Sequence, residues 1–204
     1  MKKKALILDL DNTIYSVRTI GDELFAPLFD LIMQDGNHEQ DLEKIKSETM
    51  RRPFQWVAKK YRFSDELTTK GTNILKTLAY NRKIEPFTDY SFVRSLPVDR
   101  FLVTMGFLKM QQSKVEQMNL ARDFKEIYIV DPSVSDKTKK DVFEEIIHRY
   151  GYAKSVVLVV GDDPESEIKA ARELKIDAVL YDKNNLYAAA DARITDFSEL
   201  IKYL

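Results

Sequence analysis

Cysteine is absent from all 204 residues. This removes disulfides, thiolate nucleophiles and sulfur-ligated metal sites together, and it points to a reducing, cytoplasmic setting. Histidine is nearly as scarce: His38 and His148 are remote from each other in helical stretches, so imidazole catalysis is not expected. Neither sign of charge is in excess, with 32 Lys and Arg against 33 Asp and Glu and a formal net charge of -1. Such a balance makes no uniform field for a polyanion, and a nucleic acid polymer is not an expected partner. No apolar run approaches the ~20 residues that a membrane-spanning helix needs. The opening Met1-Lys2-Lys3-Lys4 imitates a signal peptide, but Asp9 and Asp11 break the following apolar run at once, so no membrane association is expected.

What is present is an ordinary globular composition, 44% apolar and 32% charged. The chain is long enough to bury one full domain plus a modest insertion without metals or cross-links, as a monomer or a homodimer.

Five short apolar runs read as buried strands: Ala5 to Leu10, Arg100 to Thr104, Ile127 to Val130, Val156 to Val160 and Ala178 to Tyr181. They are continuous, not alternating, which is the pattern of parallel strands covered by helices on both faces. Amphipathic helices separate the later strands, notably Lys139 to Arg149 and Pro164 to Leu174. Thr138 with Asp141 forms a capping-box pattern, Gly151 stands where that helix should stop, and Asp163 before Pro164 is a cap followed by a favoured first helical residue. The spacing therefore predicts an α/β fold with a doubly wound, Rossmann-like parallel sheet.

Residues from about 14 to 85 differ in kind, with no convincing strand. Helical periodicity recurs over residues 24–33, 42–50, 54–61 and 67–78, punctuated at Asp35-Gly36-Asn37, Arg52-Pro53 and Phe63-Ser64. The reading is a four-helix cap over residues 15–85, inserted into an α/β core of residues 1–14 and 86–204.

Ligands of parallel sheets bind beyond the carboxyl ends of the strands, so the residues there carry the chemistry. These are Asp9-Leu10-Asp11-Asn12-Thr13, Thr104-Met105-Gly106, Asp131-Pro132 and Gly161-Asp162-Asp163, with Lys137 before a helix start. Two carboxylates two residues apart can divide nucleophilic and proton-transfer duties, and Asp162 and Asp163 add hard oxygen ligands suited to Mg2+. Thr104 can donate to a phosphoryl oxygen and Lys137 can neutralise developing charge. Lys139 and Lys140 read as solvated surface; Asp131 is a turn residue by default, with a place bordering the site as the alternative; Arg51 and Arg52 are an exposed basic pair and Trp56 a core aromatic by default, with a substrate-facing role as the alternative for all three.

This set resembles the motifs of the haloacid dehalogenase-like superfamily along essentially the whole chain. Asp9-Leu10-Asp11-Asn12-Thr13 matches its first motif, Thr104 the second, Asp162 and Asp163 the fourth. Its third-motif lysine stands six residues before an aromatic, which selects Lys137 ahead of Phe143. Met105, Thr138 and Glu167 depart from residues common in the family. The resemblance implies a Mg2+-dependent phosphatase acting on a small phosphorylated metabolite through an aspartyl-phosphate. In it Asp9 attacks phosphorus and Asp11 protonates the leaving oxygen and then activates water. Thr104 and Lys137 hold the phosphoryl group, Met105 and Gly106 join them in binding substrate, and Tyr15 and Arg18 lie on the segment joining core and cap and help close the site over substrate. Asp9, the Asp11 carbonyl, Asp162 and Asp163 bind the metal. The wording Asp-Leu-Asp-Asn-Thr-Ile-Tyr is similar to pyrimidine 5′-nucleotidases and suggests a nucleoside monophosphate. A phosphosugar mutase and an idle binding protein on the same fold are the alternatives. Dehalogenation fits less well, because Asp11 is retained.

Overall fold

The computed structural model describes residues 2–188 and 191–204. All five apolar runs form strands: β1 (Ala5–Leu8), β2 (Asp99–Met105), β3 (Glu126–Val130), β4 (Val157–Gly161) and β5 (Asp177–Tyr181). A sixth, β6 (Arg193–Ile194), has only two residues, too few to produce a sequence pattern. The sheet is parallel throughout in the order β3-β2-β1-β4-β5-β6. Strand β1 lies between β2 and β4, with Ile7 opposite Phe101 on one side and Val159 on the other. The connections diverge from β1 in opposite directions, which opens a crevice at its carboxyl end.

Alternate strand residues feed two apolar layers, as the pleat requires. Ala5, Ile7, Phe101, Val103, Val157 and Val159 pack against α8 (Lys139–Tyr150) and α9 (Lys169–Leu174), below. Leu6, Leu8, Leu102, Leu158 and Val160 face the other way, and their cluster runs without a break into the helices that follow β1. Those helices are α1 (Gly21–Leu24), α2 (Ala26–Asp35), α3 (Leu42–Thr49), α4 (Phe54–Tyr61) and α5 (Asp65–Thr77). The first expected helix is broken at Phe25 into α1 and α2. Helix α6 (Tyr90–Ser95) leads into β2, and α7 (Leu108–Gln117) follows it. Phe87 N donates to Ile14 O at 2.8 Å, so the chain leaving the sheet and the chain returning to it run side by side. Among the described residues no helix is long and apolar enough to cross a membrane.

Helix ends follow their local chemistry. Thr138 and Asp141 make the full capping box of α8, and Gly151 ends the helix in the left-handed conformation. Ser64 caps α5 by accepting from Leu67 N.

Gly71 in α5 sits at a close contact in the helical layer. A Cβ there would lie 2.5 Å from Phe54 Cζ and 3.1 Å from Leu28 Cδ1, where α2, α4 and α5 meet. Gly71→Ala would gain about 1 kcal/mol of helix propensity. It would also overpack a buried junction, at a cost of about 1–3 kcal/mol. Net destabilisation is expected, measured as a lower urea midpoint at unchanged slope; a raised midpoint would mean that Phe54 moves aside freely.

Candidate active site

Asp9 follows β1 directly, remains tied to the sheet through Asp9 N to Val160 O at 3.0 Å, and is 6% exposed. The chain then turns sharply. Asn12 takes a positive φ of 57°, which asparagine tolerates better than most residues. Its side chain accepts from Val17 N at 3.2 Å and donates to Met50 O at 3.3 Å, joining the motif loop to the end of α3.

The cation facing Asp9 is Lys139. Its Nζ donates to Asp9 Oδ1 at 2.6 Å and to Glu167 Oε2 at 2.7 Å, and the residue is 6% exposed. Lys139 is the first residue of α8, and helical side chains lean toward the amino end, so it reaches back to the carboxyl edge of the sheet. A cation at a helix start opposes the macrodipole, and the two buried carboxylates offset that. Burial disfavours the charged lysine, but Asp9 and Glu167 outweigh burial and raise its pKa.

Glu167 reaches this position because β4 ends in Gly161. A Cβ at 161 would lie 2.3 Å from Glu167 Cγ and Oε1, so only glycine lets the glutamate fold back over the strand end. Its Oε1 accepts from Asp163 N at 2.7 Å. Asp9, Asp162 and Glu167 each offer a carboxylate oxygen, all within 4.8 Å of one another. Burial raises the Asp9 carboxyl from its ordinary 3.8 to about 7, with Lys139 opposing and Glu167 adding to the rise. Burial, then Glu167 and Asp9, push Asp162 well above its ordinary value. Burial works against the Glu167 carboxylate, but the Lys139 ammonium and backbone N–H donors together hold its pKa low. Three carboxylates against one lysine leave room for two positive charges, and hard oxygen donors so placed fit a divalent cation such as Mg2+.

Asp11 is turned to the other side of the cleft. Lys114 Nζ donates to both of its carboxylate oxygens at 2.9 Å, Tyr15 OH to Oδ1 at 2.6 Å and Gln111 Nε2 to Oδ2 at 2.9 Å. Burial works against ionisation here, but Lys114 and these hydrogen bonds hold the carboxyl below its ordinary range. Gln111 Nε2 also donates to Thr104 Oγ1 at 2.6 Å, leaving the threonine hydroxyl proton free for another acceptor.

Above the strand ends lies a cleft of about 230 Å³, walled by the sheet ends and by residues from the close of α3 to the start of α4. Arg51 approaches Asp162 at 3.7 Å and Arg52 bonds Asp163 at 2.9 Å, spanning from the helical layer to the acidic loop. Two buried cleft atoms, Thr49 Oγ1 and Gln111 Oε1, have no hydrogen-bond partner among the described residues. Buried polar atoms are seldom left so in native proteins, and both are suited to a ligand or water.

The cleft brings together Asp9, Asp11, Thr104, Met105, Gly106, Asp162 and Asp163 from the sequence reading. Lys137 is not among them: its Nζ pairs with Glu145 at 2.9 Å on the surface. It precedes the helix, where no helical lean directs it toward the sheet, and Lys139 takes the place expected of it. Asp163 stands at the cleft, but it caps the turn Pro164–Ile168 and binds Arg52; Glu167 completes the carboxylate triad instead. Tyr15 is buried and contacts Asp11, while Arg18 is exposed, and neither lines the cleft. Arg51 and Arg52 line it, which departs from the exposed-pair default and agrees in position with the alternative, and Trp56 is 44% exposed rather than core. Asp131 is a turn residue as expected, accepting from Ser133 N and Leu108 N at 2.8 Å. Gln111 and Lys114 were missed. Their three-residue spacing on one helix just after Thr104 was the available signal.

A family model described as haloacid dehalogenase-like hydrolase matches residues 3–175. A search of curated proteins found no match. Among solved structures, the HAD phosphatase of Thermococcus onnurineus is 20% identical, with 98% of this chain and 97% of that one covered at a TM-score of 0.64. YfnB of Bacillus subtilis, described as a HAD-hydrolase and solved bound to magnesium, is 19% identical, with 100% and 99% covered at 0.63. The L-2-haloacid dehalogenase of Xanthobacter autotrophicus is 14% identical, with 91% and 80% covered at 0.55. At these identities the likeness is one of fold.

Two outcomes follow from the charge cluster. Lys139→Ala leaves Asp9 and Glu167 buried without their counter-charge and is expected to destabilise the protein by about 3–5 kcal/mol, the range for breaking a buried pair. Lys137→Ala should change stability by less than about 0.5 kcal/mol, as surface substitutions do. Denaturant unfolding of both variants checks this, and equal effects would dissolve the distinction between the two lysines. The second outcome concerns pH. An Asp9 carboxyl at about 7 in the fold but near 3.8 when unfolded stabilises the fold while protonated, and that contribution is lost as pH rises through about 7. Asp162 acts in the same direction. Asp11 and Glu167, held low, lose their contributions only in acid, below this window. In chelator the melting temperature should therefore fall between pH 5 and pH 8, and saturating Mg2+ should flatten the decline. A chelated protein that melts higher at pH 8 than at pH 5 would contradict this account.

Proposed function

Because the chain belongs to the haloacid dehalogenase-like hydrolases, we propose that it is a Mg2+-dependent phosphomonoesterase acting on a small phosphorylated metabolite, with Asp9 as nucleophile. The observation that carries this reading is the buried cluster in which Lys139 bridges Asp9 and Glu167 beside Asp162. A nucleophilic carboxylate must meet an anionic phosphoryl group, which requires positive charge at the point of attack. Lys139 supplies one such charge. Asp9, Asp162 and Glu167, with the Asp11 carbonyl, would hold Mg2+, which when bound offsets the remaining negative charge of carboxylates and phosphoryl group.

In this reading Asp9 Oδ attacks phosphorus, the bond from phosphorus to the leaving oxygen breaks, and Asp11, in the minor fraction that has taken up a proton against the pull of Lys114, delivers it to that oxygen. The Thr104 hydroxyl, which accepts from Gln111, donates its own proton to an equatorial phosphoryl oxygen. Water then hydrolyses the aspartyl-phosphate, with Asp11 taking its proton.

Helices over residues 15–85 act as the cap of this site. Arg51 and Thr49 stand where the part of the substrate beyond the phosphoryl group would lie. A cleft of about 230 Å³ falls below the ~300–1,000 Å³ usual for drug-sized ligands, which favours a compact metabolite over a nucleoside monophosphate unless the cap opens. Dehalogenation, named for some fold relatives, has no use for the acid at Asp11 or for a carboxylate triad.

Phosphate release from 4-nitrophenyl phosphate is expected with Mg2+ and should vanish in excess chelator. Asp9→Asn should be inactive yet folded, because an amide oxygen is too weak a nucleophile. A colorimetric phosphate assay with circular dichroism reads both, and full activity either in chelator or in the Asp9→Asn protein would sink the mechanism. A panel of small phosphomonoesters and nucleoside monophosphates then separates the substrate classes by kcat/KM.

A further inference from the structure

Lys114 is 1% exposed, sits on α7 outside every motif of the sequence reading, and makes its two side-chain hydrogen bonds to the two carboxylate oxygens of Asp11. A buried ammonium is costly unless it meets a paired anion, so its position is set by Asp11 as much as Asp11 is set by it. Tyr15 and Gln111 bring the donor contacts on this carboxylate to four, so a proton that arrives at Asp11 displaces one of them while the others hold the group in place. Its rotamer is thereby fixed from three directions. Gln111 lies one helical turn before Lys114 and bonds Thr104 as well, so one face of α7 ties the phosphoryl-binding hydroxyl to the proton-transfer carboxylate.

We propose that Lys114 is the positioning residue for Asp11: its two contacts hold the carboxylate in the orientation from which it takes a proton from the hydrolytic water. The assignment rests on the phosphatase reading above. In the step concerned, the water oxygen bonds phosphorus, the bond between phosphorus and Asp9 Oδ breaks with its electron pair returning to Asp9, and the water proton passes to Asp11. That proton replaces the one Asp11 gave to the leaving oxygen, so the cycle closes.

The test is rapid-quench kinetics with 4-nitrophenyl phosphate and Mg2+ on wild type, Lys114→Met, Lys114→Arg, Asp11→Asn and the Asp11→Asn/Lys114→Met double variant. Lys114→Met should lose about 100-fold in kcat, the low end of what acid–base groups contribute. Its KM should stay within about threefold of wild type, because no substrate contact is removed. Acid-quenched Lys114→Met should carry more phosphate on Asp9 than wild type, as Asp11→Asn should, and the double variant should be no slower than Asp11→Asn alone. Lys114→Arg, keeping charge and two donors, should recover roughly tenfold or more of the loss. If Lys114→Met fails to fold by circular dichroism, Lys114→Gln, a neutral donor, is read in the same way. A raised KM with unchanged kcat would make Lys114 a substrate ligand, and losses that multiply in the double variant would make it a structural residue; either overturns the proposal. A wild-type protein inactive on every phosphomonoester would instead overturn the phosphatase reading, and this assignment with it.

Discussion

The ammonium of Lys139, lodged between Asp9 and Glu167, is the contact on which the arrangement of the site depends. It joins three elements distant in sequence: the end of β1, the start of α8 and the turn after β4. Without a cation there, burial would drive protons onto the carboxylates or force them apart. With it, Glu167 stays ionised while Asp9 keeps a raised pKa, so the cluster retains acceptor capacity. The glycine at 161 serves the same contact from the opposite side by leaving Glu167 the space in which to bend.

The parallel sheet was legible because β1 and β4 are buried on both faces and so appear as unbroken apolar runs. Asp9, Asp11, Thr104 and Asp162 were legible because strand ends are where such sheets bind ligands, and a strand end can be found from its apolar run. Lys139 was misassigned for a geometric reason. Spacing to Phe143 is a one-dimensional rule, whereas the reach of a lysine depends on whether its residue lies inside the first helical turn or before it. Glu167 stood out only as a departure from residues common in the family and carried no mark of its burial. Gln111 and Lys114 sit on a helix that buries polar residues beside Met110 and Val115, which blurs the amphipathic pattern by which helices are read. The two residues of β6 carry no periodicity at all.

Arg51 and Arg52 show how sequence context can leave a position open between surface and cleft. A basic pair beside a proline reads as a solvated turn, and by propensity it is one. What places it in the cleft is the seat of α3 and α4 on the sheet-facing apolar cluster, with Ile45, Phe54 and Val57 buried beneath. Its partners, Asp162 and Asp163, belong to the same loop that holds the metal-suited carboxylates. Helical layer and acidic loop are thus joined by partly exposed ion pairs, a type of contact worth little in water and easily exchanged for another anion.

The central position of β1 has a consequence for how the molecule is made. Strand β1, made before the other strands of its sheet, pairs with Asp99–Leu102 on one side and with Val157–Val160 on the other. Asp9 meets its lysine 130 positions later, and that lysine meets Glu167 a further 28 residues on. Until β4 and the turn after it have emerged from the ribosome, a nascent chain holds a strand with one open apolar edge and a carboxylate without its counter-charge. Contacts of such sequence separation are slow to form and leave partly folded states prone to association. The residues that complete the buried charge cluster flank β4, the strand that covers the open edge of β1, so a chain that stops short of them lacks a finished core as well as a finished site.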